Sequence, residues 1–337
     1  MTGGTLRVVA RVHAYPPHHN AGAEWMLHEM LRALVARGHR ADVWLSQWSG
    51  GSEPYDVDGV RVVPPQLGRT YETAARQASV LISHLENVPG AAALARGYGV
   101  PLVVVCHNTF ELTWQPLVRG STAAVVVNSE WMRQAAEERF ETAPFRPDRL
   151  LVVRPPVHPT DYATRPGDAI TLINTTQAKG AQVLAELAKR MDERKFLAVL
   201  GGYGEQQPPD LPNVGIVEHV DGRQMRDEVY GRTRILLMPS EYESWGRAGV
   251  EAMASGIPVI AHPTPGLRES LGSAGIFCDR DDVEAWAKAI EALDDPTAYR
   301  TAARRARARS KALEPSADLA SWCELVEEVG SARASLR

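Results

Sequence analysis

A repeated alternation constrains this chain more than any other feature. Short apolar runs, rich in β-branched residues, occur at residues 6–12, 41–45, 60–63, 80–83, 101–106, 123–127 and 150–153. Amphipathic stretches separate several of them. Met26, Leu27, Met30, Leu31, Leu34 and Val35 recur at helical spacing ahead of Gly38, and residues 90–96 and 130–140 read the same way. Continuous apolar strands divided by helices require a parallel sheet covered on both faces. The stiff stretch Arg154-Pro155-Pro156-Val157-His158-Pro159, followed by Arg165-Pro166-Gly167, interrupts the pattern. It then restarts, with strands at 170–173, 196–200, 214–217, 235–238 and 258–261 and helices at 179–191, 223–230 and 247–254. From residue 281 onward the chain reads as helical, through 317–329. The predicted fold class is α/β. Residues 1–155 and 168–315 form two Rossmann-like domains, and a terminal helix over 316–332 packs back on the first. Doubly wound sheets hold ligands at the carboxyl ends of their strands, so the chemistry is expected in the loops that follow strands.

Composition supports two ordinary cores. The chain has 337 residues, 44% of them hydrophobic and 23% charged. A net charge of -4 implies no general attraction to nucleic acid. Cys106, Cys278 and Cys323 form no CxxC or Cys/His cluster, so neither a disulfide framework nor a zinc site is expected. The N-terminus lacks a signal-peptide pattern, and no apolar run is long enough to span a bilayer. The expected location is the cytoplasm, with peripheral membrane contact as a variant. Residues 300–311 carry six basic side chains. They read either as a solvated helix face or as a contact for an anionic acceptor or a phospholipid head group.

The densest chemistry follows the run 235–238. Glu243-Ser244-Trp245-Gly246-Arg247 leads into a short helix that ends at Ser255-Gly256. Ser244 and Gly246 are small enough for a ligand to approach the backbone. The helix N-terminus offers unpaired N–H groups suited to a diphosphate. Glu243 and Glu251 bracket that seat. Two carboxylates there suit hydroxyl groups on either side of a phosphate, one on a sugar and one on a ribose.

Glu243 and Glu251, with seven residues between them and Ala252-Met253-Ala254-Ser255-Gly256-Ile257-Pro258-Val259 behind, resemble the E-x7-E signature of GT-B retaining glycosyltransferases of family 4. The resemblance implies two Rossmann-like domains with parallel sheets facing across a cleft. It also implies that Glu243, Ser244, Trp245 and Gly246 face the donor sugar and that Glu251 holds the ribose. Lys179, ahead of Gly180, resembles the family's diphosphate-binding lysine, which neutralises charge on the leaving group. The family usually has an Arg shortly before that Lys. Here Asn174-Thr175-Thr176-Gln177-Ala178 supplies only neutral groups, so Asn174 and Thr175 stand where phosphate contacts are expected, and Arg247 is the candidate substitute. Gly202, in Gly201-Gly202-Tyr203-Gly204, follows a strand as a close-approach turn does. Val217 and His219 fall where the family's backbone reads the base. Gly266 and Glu269 resemble a G-x-x-E whose acid is read as structural.

The first half matches less closely. Asn20-Ala21-Gly22-Ala23-Glu24 resembles the family's Gly-rich first loop, with Gly22 near the donor; a plain helix N-terminus with Glu24 in its first turn is the alternative. His107, after the run 101–106, resembles the His that touches a donor-sugar hydroxyl. His13, His18 and His19 read as acceptor contacts or as a pH-sensitive loop. Asn128-Ser129 resembles the family's helix entry.

The resemblance implies retaining transfer from a nucleoside-diphosphate sugar of UDP or GDP type to a hydroxyl acceptor. The leaving phosphate takes the acceptor proton on the same face. Lys179, Glu243 and His107 are the candidate catalytic residues. No metal ligands are assigned and no cofactor is expected. The acceptor is open, with nucleic acid or membrane lipid only weakly indicated, and the chain is expected as a monomer or homodimer. A sugar-nucleotide 2-epimerase and a catalytically silent sugar-nucleotide-binding protein are the rival readings.

Overall fold

The computed structural model describes residues 4–118 and 122–334. The chain divides into two compact units. Unit 1 holds the described residues up to Pro156 together with those from Pro315 on, and unit 2 is Val157–Glu314.

Unit 1 is built on eight strands: β1 (Arg7–Val12), β2 (Arg40–Leu45), β3 (Tyr55–Val57), β4 (Val60–Val63), β5 (Val80–Ser83), β6 (Leu102–Cys106), β7 (Ala124–Val127) and β8 (Leu150–Val152). Their order is β3-β4-β2-β1-β5-β6-β7-β8, parallel throughout except for the β3–β4 pair. That pair was not expected from the sequence. Its two-residue turn, Asp58-Gly59, has φ of 51° and 80°, the left-handed pair that a tight hairpin requires.

The side-chain period of two sorts the strands between two cores. Val8, Ala10 and Val12 of β1 pack with Met26, Met30 and Leu34 of the Gly22–Ala36 helix. Val9, Leu81 and Val104 face the helices of the opposite layer, with Ala91 and Met132. The Ser316–Ala334 helix closes the first of these cores. Trp322 is fully buried there and its Nε1 donates to Met30 O at 2.9 Å. Asp318 receives the Arg154 guanidinium through two bonds of 2.7 and 2.8 Å.

Unit 2 has six parallel strands: β9 (Ala169–Ile173), β10 (Phe196–Val199), β11 (Val214–Val217), β12 (Thr233–Met238), β13 (Val259–Ala261) and β14 (Ile276–Phe277). Their order is β11-β10-β9-β12-β13-β14. Strand order reverses between β9 and β12, so the loops after these two strands form the switch point where doubly wound sheets bind ligands. The basic stretch 300–311 lies in the Pro296–Ala312 helix and is partly structural. Arg307 donates to Ser255 O at 3.0 Å, and Arg309 to Glu269 O and Ser270 O at 2.6 and 2.9 Å, capping the ends of two helices. Arg300, Arg304, Arg305 and Lys311 are exposed.

Candidate functional site

Five helices of unit 2 have seven or more residues. Three begin with a side-chain cap: Thr264 before Pro265–Leu271, Asp282 before Val283–Ala292, and Asp295 before Pro296–Ala312. The other two, Ala181–Arg190 and Arg247–Ala254, begin at Gly180 and Gly246 with φ of 94° and 85° and no side-chain cap. These are the helices that follow β9 and β12. Uncapped N-terminal amides carry orphan donors and a partial positive charge, worth about 0.3–1 kcal/mol to a nearby anion.

Glycine is needed at both starts. A Cβ on Gly180 would lie 2.4 Å from the Pro239 ring, and one on Gly246 would lie 2.5 Å from Leu267. Gly266 has the same purpose. A Cβ there would fall 2.3 Å from Glu243 O and 2.4 Å from Ser244 C, so the Glu243–Ser244 backbone rests directly on this glycine.

The structure brings Lys179 and Glu243 into an ion pair, and Ser240 Oγ donates to the same Glu243 oxygen at 3.0 Å. Lys179 ends the turn Gln177–Lys179 ahead of its helix. Glu251 faces inward. Its Oε2 accepts from Tyr230 OH at 2.6 Å, and its Oε1 pairs with Arg247 Nε at 2.6 Å. Arg247 also donates to Tyr162 OH at 2.8 Å, and its side chain is largely buried. Burial, and then the Glu251 charge, raise the Tyr230 phenol well above its ordinary value, so it stays protonated as a donor.

The loop after β9 is held to the loop after β10 by one side chain. Gln206 Oε1 accepts from Thr175 N, Thr175 Oγ1 and Gly201 N at 2.9, 3.1 and 2.8 Å. Thr175 is fully buried and its hydroxyl is spent on that bond. Asn174 has φ of 69°, and its Oδ1 accepts from Thr176 N at 3.1 Å. Gly202 lies in the turn after β10, Val217 ends β11, and His219 is exposed beyond it. The Trp245 ring is buried in the core. An open pocket of about 710 Å³ lies over the two loops, lined by Asn174, Thr176, Gln177, Ala178, Tyr203, Gly204, Glu205, Gln207 and Glu241.

The sequence reading missed Gln206, Tyr230, Tyr162 and Arg280. Arg280, after β14, is buried, pairs with Glu241 and donates to Gln177 O at 2.5 Å, which places a cation under the β9 loop. Two Asp-x-Asp triplets were also passed over, at residues 56–58 and 279–281. Each serves its own surroundings. Asp56 accepts from Gly59 N, Asp58 meets His28, and Asp279 accepts from Asp281 N. Among the described residues no group of three or more His, Cys, Asp or Glu is arranged to hold a metal ion.

His107 and Gly22 lie in unit 1, at the carboxyl edge of its own sheet. Gly22 opens its helix after Ala21, with no side-chain cap. Glu24 in the first turn bonds His13 Nε2 at 3.0 Å, and His107 Nε2 lies 3.0 Å from His84 Nδ1. Burial lowers His107 to about 4 and pulls His84 well below the usual range, aided by the neighbouring imidazoles. Burial opposes the proton on His13 too, but the Glu24 bond and the Glu24 and Glu86 charges outweigh it and raise its pKa. Ser129 precedes its helix without capping it and donates instead to Asn128 Oδ1 at 3.2 Å.

Comparison with known proteins fits this geometry. The family described as Glycosyl transferases group 1 matches residues 169–295, and Glycosyltransferase Family 4 matches residues 20–161. A glycogen synthase from Mycobacterium tuberculosis is 35% identical, over 90% of this chain and 90% of its own. The chain belongs to glycosyltransferase family 4. A D-inositol 3-phosphate glycosyltransferase from a Nocardioides species is 26% identical, over 87% of this chain and 81% of that one. Among solved structures, the Anabaena protein HepE in complex with UDP-glucose superposes with a TM-score of 0.74 at 17% identity, covering 97% of this chain and 100% of that one. The sucrose-phosphate synthase from Thermosynechococcus elongatus gives 0.72 at 16% identity, covering 98% and 99%. This family 4 member is therefore a glycosyltransferase with the GT-B fold: two parallel-sheet α/β units and a helical C-terminus. No described helix is long and apolar enough to cross a membrane.

Proposed function

We propose that this glycosyltransferase moves a sugar from a nucleoside-diphosphate sugar to a hydroxyl acceptor, with retention and without a divalent metal. One observation carries the reading. Of the unit 2 helices with seven or more residues, the two that follow the switch-point strands are the two that begin uncapped, with Lys179 and Glu243 paired beside them. The donor diphosphate takes the orphan amides. Lys179 leaves Glu243 to neutralise the departing phosphate, and Glu243 accepts from hydroxyls of the donor sugar. HepE is described in complex with UDP-glucose, which supports a donor of UDP type. The relatives named for glycogen and for inositol phosphate support an acceptor hydroxyl on a sugar or cyclitol.

A thermal-shift screen of UDP-, GDP-, ADP- and dTDP-sugars, run with and without EDTA, tests this. The expected outcome is stabilisation by one nucleotide class, unaffected by chelation. No stabilisation by any of them, or its loss with EDTA, would overturn the reading. A second reading, sugar-nucleotide binding without transfer, is favoured by the engagement of both Glu251 oxygens by the protein's own side chains. Tight nucleotide binding with neither hydrolysis nor transfer would support it.

A further inference from the structure

Unit 1 has its own switch point, between β1 and β5, and the loops there are shaped around each other. His13 follows β1, Trp48 follows β2, and His84 and Glu86 follow β5. Trp48 N donates to His13 O at 2.9 Å, and the two rings meet edge to face at 5.7 Å. A Cβ on Gly50 would lie 2.2 Å from the His18 ring, so this glycine lets the two loops close on each other. Trp48 is 47% exposed, and no other tryptophan in the described residues is exposed. The His19 ring lies 5.2 Å from the indole at 35°, and the rest of this large ring, half in water at a switch point, marks a binding surface.

Glu86 stands beside it. Its Oε1 accepts from Gln47 Nε2 at 3.2 Å and Asn87 Nδ2 at 3.3 Å and lies 3.5 Å from His13 Nδ1. Its Oε2 takes no hydrogen bond among the described residues, and its side chain is 38% exposed. The support behind is rigid. His13 is held by buried Glu24 and stacks on His84, with centroids 5.0 Å apart and planes at 25°. Among the described residues, the only charged partner of Glu86 is His13.

We propose that Trp48, Glu86 and Gln47 form an acceptor subsite for a neutral, polyhydroxylated ring: a sugar or cyclitol without phosphate. The C–H face of such a ring lies on the indole, and one of its hydroxyls donates to Glu86 Oε2. Among the described residues no lysine or arginine pairs with Glu86, and its carboxylate repels a phosphorylated ring. The proposal rests on the transferase reading and names the class of its acceptor.

Calorimetry or saturation-transfer NMR with methyl glucoside, maltose and myo-inositol, against glucose 6-phosphate and inositol phosphate, tests it without turnover. A neutral probe binds the native protein better than its phosphate ester. Glu86→Gln and Trp48→Ala each weaken that binding about ten-fold, whereas Trp48→Phe keeps most of it. Both side chains are exposed, and an unchanged thermal midpoint shows that the variants fold. Native-like binding by both variants, preference for the phosphorylated probes, or no binding of any neutral probe would each overturn the subsite. UDP binding is measured in the same samples. Its absence would sink the donor reading instead, so the two failures are distinguishable.

Discussion

Tyr230→Phe isolates one bond in the donor region. The phenylalanine ring keeps the packing against Tyr162, whose centroid is 6.1 Å away, so the apolar contribution is nearly unchanged. What disappears is the 2.6 Å bond from the phenol to Glu251 Oε2, between two buried side chains. A hydrogen bond to a charged acceptor contributes about 1.5–3 kcal/mol. Breaking a buried ion pair outright costs more, about 3–5 kcal/mol, but Glu251 keeps Arg247. The expected loss is therefore about 2 kcal/mol from unit 2. For a unit of this size each kcal/mol moves the midpoint by roughly 2–4 °C, so the transition falls by about 4–8 °C. Differential scanning calorimetry reads it directly. With its carboxylate no longer oriented, Glu251 should also bind UDP a few-fold more weakly. An unmoved transition with unchanged UDP affinity would refute the role given to this bond. A gain in UDP affinity would show that the phenol competes with the ribose for that oxygen.

Other perturbations separate the remaining roles. Lys179→Ala should lower kcat more than it raises KM, because leaving-group charge develops in the transition state; a pure KM effect in steady-state kinetics would reduce the lysine to a ground-state contact. Gly266→Ala must push the Glu243–Ser244 backbone away, so donor affinity should fall about ten-fold by calorimetry while the fold persists; native affinity would show that loop to be compliant. In unit 1 the pH dependence has a defined sign. His107 and His84 are held neutral below their unfolded value of 6.5, so their contribution is present above it and is lost as pH falls below 6.5, for His107 through about 4. His13 acts oppositely, contributing below 6.5 and fading as pH rises through its raised value. His107→Gln should flatten the acid decline in thermal midpoint; a decline of equal depth would place its cause elsewhere.

The sheets were legible in the sequence because a strand buried on both faces must be apolar throughout. Leu102–Cys106 and Ala124–Val127 are of this kind. The β3–β4 hairpin was legible in principle from its Asp58-Gly59 turn, but Tyr55–Val57 is too short and too polar to stand out. Within the site, the spacing of Glu243 and Glu251 reflects one loop and one helix, and local pattern carries that much. The inward turn of Glu251 depends on Tyr230, 21 residues away, and on Tyr162, which bonds Arg247 from 85 residues away. Gln206 binds three groups from two loops. Such partners are set by tertiary packing, and no local spacing encodes them.

The closing helix Ser316–Ala334 has a consequence for how the molecule is made. Unit 2 is one uninterrupted stretch, whereas unit 1 is finished by residues translated after it. At about 5–20 residues per second, the amino-terminal sheet waits roughly 8–34 s for Trp322 to cover Met30. During that interval the ribosome carries a nascent half-domain with one greasy face uncovered, while the later-born unit is free to fold first.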